Sequence, residues 1–262
     1  MTKPLITIVL NEEFGRVAGD AVINTAISLQ RDNPHSPITI IPPTGNTPTP
    51  VYNYWADRTG EMSGLVKLWD SVRFQQLDER VGENAFRDVV LDLAGKLGIP
   101  EERLMVIDGK AADIKAEEAR YRSLVAANPA DIICLGMGAH DGHIAFNQPY
   151  SALDSVTRLV DLSDDTQSQQ QAYGDGANAD QGLTQGLHEL LFANPNAKIF
   201  GWVTGANKAG KLAEAMNGKI DIANPFSTLR LAKRRLHIIA DQEAASGLIQ
   251  GHENYDLEFA IQ

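Results

Sequence analysis

The chain has 262 residues, 43% hydrophobic and 22% charged, with one cysteine and a net charge of −11 at neutral pH. That length can bury a core without staples, and the lone Cys134 excludes a disulfide framework and a four-cysteine zinc site. No apolar run approaches the ~20 residues that span a bilayer, so no membrane is expected, and an acidic balance without a basic stripe argues against nucleic acid as the main partner.

Met1 to Gln30 is interrupted by Glu12, Glu13, Arg16 and Asp20, which fits neither a signal peptide nor an anchor, so a cytoplasmic location is expected. Leu5 to Leu10 reads as a β-branched strand. Asn11 then caps a helix to about Gln30, with Phe14, Val17, Ala21, Val22 and Ala26 at helical spacing. Ile38 to Ile41 is the next strand, closed by Pro42-Pro43, and a helix begins near Thr47 or Pro48. Val66 to Leu77 holds a further strand, and Ala85 to Leu97 is helical with Pro100 beyond its end. Leu104 to Ile107 is short and apolar. Ala111 to Ala127 is helical, with Ala112, Ile114, Ala119, Leu124 and Val125 inward.

Asp131 to Leu135 is the strongest strand, and it runs into the glycine-rich loop Gly136-Met137-Gly138. Thr157 to Leu162 reads as a strand, Gln181 to Phe192 as a helix, Lys198 to Thr204 as a strand and Asn207 to Met216 as a helix. Leu236 to Ala240 (strand) and Gln242 to Gln250 (helix) follow. The Gln-rich stretch Gln167 to Gln171 is too short to alter this order. Alternating buried strands and helices with no linker imply one α/β domain over residues 1–262, a doubly wound and largely parallel sheet. Ligands of such sheets sit beyond the carboxyl ends of the strands.

Four strand exits carry chemistry. Thr44-Gly45-Asn46-Thr47-Pro48 offers hydroxyls and a helix start, a phosphate-binding arrangement, although it lacks the Walker ending. Asp78-Glu79-Arg80 sets a general base beside a cation, or forms a solvated turn. Asp141-Gly142-His143 brings a carboxylate to an imidazole and fixes its tautomer. The His140–His143 pair lacks further ligands at metal spacing, so no metal is expected. Cys134, inside a strand, reads as a buried small residue. Lys208, at the start of a helix after Thr204-Gly205, is placed against the helix dipole, which a bound anion would offset.

The run Asp141-Gly142-His143-Ile144-Ala145-Phe146-Asn147 resembles the signature of isomerising glucosamine-6-phosphate deaminases. Pro43-Thr44-Gly45, Leu77-Asp78-Glu79 with Val81-Gly82, Ser151, Thr157-Arg158, Asp165-Thr166, Leu183-Thr184-x-Gly186 and Gly205 with Lys208 follow in family order. The wider superfamily includes the 6-phosphogluconolactonases, in which Asp-Gly-His continues as Thr-Ala-Ser, so the deaminase branch is favoured. Asp78-Glu79-Arg80, however, is closer to the lactonase Asp-Glu-Arg than to the deaminase Asp-Glu-Tyr. The resemblance implies a Rossmann-like sheet, a sugar-phosphate substrate and no cofactor, and it leaves a homo-oligomer open.

It further implies roles. Thr44 to Thr47 and Lys208 hold the phosphate, and His143, oriented by Asp141, opens the pyranose ring. Asp78 moves a proton between C2 and C1, and ammonia leaves with formation of the ketose phosphate. Galactosamine 6-phosphate is an alternative substrate. Lactone hydrolysis and sugar-phosphate binding without turnover are the rival readings. Three departures stand out. Gln148 replaces the glutamate that attends the histidine, one extra residue lies between Gly138 and Asp141, and Ala172 stands where the family has a phosphate-binding arginine. Arg80 is the cation available to replace it. Val160 and Asp161 stand where an effector pocket would have Lys-Thr.

Overall fold

The computed structural model describes residues 3–164, 166–167 and 179–260. Its eleven strands are β1 (Leu5–Val9), β2 (Ile38–Ile41), β3 (Val72–Gln75), β4 (Asp78–Arg80), β5 (Leu104–Met105), β6 (Ile132–Leu135), β7 (Arg158–Asp161), β8 (Gln181–Thr184), β9 (Lys198–Val203), β10 (Leu236–Asp241) and β11 (Asp256–Phe259). Eight of them form one sheet in the order β11-β1-β10-β9-β6-β2-β3-β5, parallel at every pairing. Helices around it include α1 (Phe14–Asp32), α2 (Thr49–Glu61), α3 (Ser63–Trp69), α4 (Ala85–Leu97), α5 (Ile114–Ala127), α6 (Leu187–Leu191) and α7 (Ala209–Asn217). The doubly wound α/β reading therefore holds.

Both faces of the central strands are covered, which is why they read as unbroken apolar runs. Ile133 and Leu135 of β6 join one core layer with Ile199, Val203 and Ile238, while Ile132 and Cys134 join the other with Phe200, Trp202 and Ile239. In the second layer Trp55 of α2 lies 5.6 Å from Trp69 and 6.1 Å from Trp202, centroid to centroid. Among the described residues no helix is long and apolar enough to cross a membrane.

Several local readings are corrected. Asn11 opens a short 3-10 turn, Asn11–Glu13, and α1 starts at Phe14 with no side-chain cap, running on to Asp32. Val66 to Leu77 begins as helix, because Leu65, Leu68 and Trp69 bury one helical face, and only Val72–Gln75 is strand. The helix expected from Ala111 starts at Ile114, where Asp113 accepts from the N–H groups of Lys115 and Ala116. Its buried face is Glu117, Tyr121 and Val125, whereas Ala112 and Ala119 are exposed. Gln181 to Phe192 divides at Gly186 into β8 and α6. The helix read over Gln242 to Gln250 is only a 3-10 turn, Ala244–Gly247, and β11 beyond it was not anticipated. The Gln-rich stretch lies, from residue 168 on, outside the described residues.

The largest correction is a second sheet. β4, β8 and β7 pair antiparallel in that order, with Asp78 opposite Thr184 and Arg80 opposite Gly182. Asp78-Glu79-Arg80 is thus not a loose turn at a strand exit. It is a buried strand of its own.

Candidate active site

β2 leads through α2 and α3 to β3 on one side, while β6 leads on to β9 on the other. The winding reverses between these neighbours, and a crevice opens there at the carboxyl ends of the strands. The segments after β2, β3, β6 and β9 line a cavity of about 280 Å³. Thr44, Gly45, Asn46, Thr47, Asp78, Arg80, His143 and Lys208 all line it.

The loop after β2 is tied at both ends. Tyr52 of α2 donates its hydroxyl to the Pro43 carbonyl, and Thr49 N–H donates to the Asn46 carbonyl at 3.2 Å. Lys208 reaches the loop from the exit of β9, its Nζ donating to Thr47 Oγ1 at 3.1 Å. Burial lowers the Lys208 ammonium pKa to about 8, while the Asp241 carboxylate works in the opposite direction. An ammonium so short of water is primed to gain from an anion.

Asp78 faces this loop from β4, accepting from Thr44 Oγ1 at 3.5 Å. Burial, and secondarily the neighbouring Glu79, push its carboxyl up to about 8, against the pull of the Thr44 hydroxyl and Arg80. The Arg80 guanidinium is fully buried, 4.9 Å over the Phe86 ring and with Nε 3.3 Å from the Glu83 carboxylate. Phe86 in turn stacks on Phe146 at 6.0 Å.

His143 sits across the cavity, its Nδ1 2.8 Å from Asp141 Oδ1, with its backbone N–H on the same oxygen at 3.0 Å. A carboxylate only accepts, so Nδ1 carries the proton and Nε2 is left to act on a ligand. Burial raises the Asp141 pKa, but the hydrogen bonds and charge of His143 outweigh it, and the carboxyl lies below its usual value. The turn closes on itself: Gly142 N–H donates to Gly138 O at 3.1 Å, and Gly138 N–H to His143 O at 2.9 Å. Gly142 takes a φ of +73°, and a Cβ there would lie 2.1 Å from Asn224 Oδ1. The extra residue between Gly138 and Asp141 is absorbed in this turn, and His140 points out, exposed. Asp141 does not line the cavity and meets it only through its hydrogen bond to His143.

Gln148 is placed apart. Its Nε2 donates to Asp161 O at 2.8 Å, and its Oε1 accepts from Ser163 N–H at 2.5 Å and Thr166 Oγ1 at 3.3 Å. Its amide therefore ties the signature loop to the end of β7, and it is not among the residues lining the cavity. The preceding residues cause this. Ala145 has φ +53°, and Ile144 and Asn147 exchange backbone hydrogen bonds, so the chain reverses before Gln148. Asn147 Oδ1 accepts from Arg158, which also donates to Ser151 Oγ at 3.3 Å. Ala172 lies outside the described residues.

The sequence reading missed the apolar wall. Ala85, Phe86 and Val89, from the first turns of α4, line the cavity with Met137 and Phe146. The helix itself was legible, but that its first turn meets the site follows only from the hydrogen bonds of Phe86 and Arg87 N–H to Glu79 of β4.

Comparison with known proteins places the chain. The family described as "Glucosamine-6-phosphate isomerases/6-phosphogluconolactonase" matches residues 11–238. A glucosamine-6-phosphate deaminase of Streptomyces coelicolor is 32% identical over 244 residues, 89% of each chain. One from Yersinia pestis is 30% identical over 243 residues, again 89% of each. Among solved structures, a monomeric glucosamine-6-phosphate deaminase superposes with a TM-score of 0.82 at 25% identity, over 93% of this chain and 99% of that one. A 6-phosphogluconolactonase from Trypanosoma cruzi shares the fold, with a TM-score of 0.70 at 21% identity over 95% and 98% of the two chains. The protein belongs to the family of glucosamine-6-phosphate isomerases and 6-phosphogluconolactonases.

Proposed function

We propose that the protein is an amino-sugar-phosphate deaminase that converts glucosamine 6-phosphate, with galactosamine 6-phosphate as the competing epimer, to the ketose 6-phosphate and ammonia. The observation that carries this is one cavity holding a buried carboxyl, Asp78, opposite a carboxylate-oriented imidazole, His143, with a desolvated ammonium, Lys208, at the phosphate loop. Lys208 and the Thr44–Thr47 loop hold the phosphate ester, with Arg80 as a further cation on the wall. His143 Nε2 takes the anomeric hydroxyl proton, passes it to the ring oxygen and opens the pyranose. Asp78 takes the C2 proton and returns it at C1 while a proton passes from the amine to O1, which leaves an imine at C2. Water adds to that carbon and ammonia leaves. Every step before the exchange of water for ammonia is proton transfer between positioned groups, and none calls for a cofactor.

Ammonia release from glucosamine 6-phosphate and galactosamine 6-phosphate tests this directly. Release from either, lost with Asp78→Asn, supports the reading, and its absence from both rejects it. Lysine at 208 should set affinity more than rate. Lys208→Met is expected to raise KM about 10- to 100-fold, the worth of a charged hydrogen bond, with a smaller change in kcat.

The pH dependence follows from two opposed requirements. Asp78 must be ionised to accept a proton, so activity rises as pH approaches its value of about 8. Lys208 must be protonated to hold the phosphate, so activity falls above its value of about 8. A narrow bell near pH 8 is expected in kcat/KM, which reports the free enzyme, once the substrate's own titration is divided out. A flat plateau from pH 6 to 9 would count against these roles.

One observation favours a second reading. Gln148 supplies no charge to the dyad, and Arg80 lines the cavity, which suits attack of a His143-activated water on a 6-phosphogluconolactone. Lactone hydrolysis above the spontaneous rate, abolished by His143→Ala while no ammonia is released from either amino sugar, would establish it.

A further inference from the structure

Glu79 lies between Asp78 and Arg80 on β4, and side chains of a strand alternate. Asp78 and Arg80 face the cavity, while Glu79 points behind it and is fully buried. A buried carboxyl needs a stated reason to be there. Four donors supply one. Glu79 Oε1 accepts from the backbone N–H of Arg80 at 2.9 Å and of Phe86 at 3.4 Å. Oε2 accepts from Arg87 N–H at 2.7 Å and from Gln76 Nε2 at 3.1 Å. The Gln76 amide has one orientation, because its Nε2 also donates to Asp78 O and its Oε1 accepts from Ile107 N–H.

Burial raises the Glu79 carboxyl above its usual value, and these four partners, all donors, work against that and suit a carboxylate. Phe86 and Arg87 are in the first turn of α4, where free N–H groups and the helix dipole favour a negative charge. The same turn carries Phe86 beneath the Arg80 guanidinium.

We propose that Glu79 is a positioning residue, an ionised buried carboxylate that clamps the first turn of α4 to β4 and opposes ionisation of the neighbouring Asp78. This rests on the reading of Asp78 as the base. The other groups facing Asp78 are the Thr44 hydroxyl and Arg80, with His143 and Lys208 across the cavity and the Tyr121 phenol from α5. Arg80 pulls Asp78 toward ionisation and Glu79 pushes it back, consistent with burial and Glu79 as the two causes of its raised value. Removing the Glu79 charge should therefore lower the Asp78 titration midpoint.

The test is a carboxyl carbon titration by NMR on the ligand-free protein, with Asp78 assigned from the Asp78→Asn spectrum, beside the pH profile of kcat/KM. In the wild type, Glu79 is expected to be ionised already at pH 6. In Glu79→Gln the Asp78 midpoint should fall by about one pH unit or more, and the rising limb of kcat/KM should move with it. Glu79→Asp keeps the charge and should return the limb to its wild-type position at a lower melting temperature. A Glu79→Gln protein with lower stability and kcat but an unmoved midpoint would overturn the proposal, leaving only a structural clamp. A protonated Glu79 at pH 6 in the wild type would overturn it as well. If Glu79→Gln does not fold, the wild-type titration and Glu79→Asp decide the matter. The titration needs no turnover, so a failure of the deaminase assay is read separately.

Discussion

Asp78→Asn should abolish turnover and stabilise the fold in the same protein. A positioned general base is worth roughly 10²–10⁴ in rate, so kcat is expected to fall by about that factor. Stability moves the other way, and the sign follows from the two pKa values. In the folded protein the carboxyl sits at about 8, above the 3.8 it has when free of burial. Its favourable contribution to folding is complete only below the unfolded value and is lost as pH rises toward the folded one. An amide never ionises and escapes that loss. The variant should gain on the order of 4 kcal/mol at pH 7 to 8 and nothing near pH 3. Thermal unfolding at both pH values, beside an ammonia assay, measures the two effects. An inactive variant with an unchanged melting temperature at pH 8 would show that Asp78 is not held as an acid.

Gly138→Ala should disable the site through a single methyl group. A Cβ on residue 138 would fall 2.3 Å from His143 Nδ1 and 2.6 Å from Asp141 Oδ1, at both ends of the 2.8 Å hydrogen bond that orients the ring. The imidazole must swing away, since the other side of the turn is held by Phe226 N–H on Gly142 O at 2.9 Å. Loss of that orientation is expected to cost about 10²-fold or more in kcat. Stability should change by only about 1–2 kcal/mol, because side chains rather than backbone give way. Steady-state kinetics with a far-ultraviolet circular dichroism control reads both quantities. Near-wild-type kcat would mean that the dyad geometry does not matter.

The parallel sheet was legible because strands such as Asp131 to Leu135 are buried on both faces and carry no alternation to confuse them. The loops were legible because Gly45, Gly142 and Gly205 punctuate strand exits. The second sheet was not. Gln181 to Thr184 is short, and Leu183 falls in helical phase with Leu187, Leu190 and Leu191, so local periodicity merged two elements. Its partner Asp78 to Arg80 is three charged residues, which earn a strand only by pairing with a segment about a hundred positions later. β11 failed for a related reason. An exposed edge strand reading Asp-Leu-Glu-Phe has no buried face to announce it. In the site, motif order gathered Asp78, His143 and Lys208, and all three line one cavity. Gln148 could not be placed that way, because a reversal at Ala145 decides where it points.

The place of β1 in the sheet bears on how the chain is made. Leu5 is opposite His237 on one side and Asp256 on the other, so β1 pairs only with β10 and β11, more than two hundred positions later. Until those emerge, Leu5 to Val9 has no neighbour in the sheet, although α1 can already pack on α2. Docking it closes a loop of more than two hundred residues, the kind of late, non-local step that slows folding. A ribosome-bound chain that stops short of β10 would therefore hold a half-built sheet with β1 still unpaired, a species exposed to misassembly.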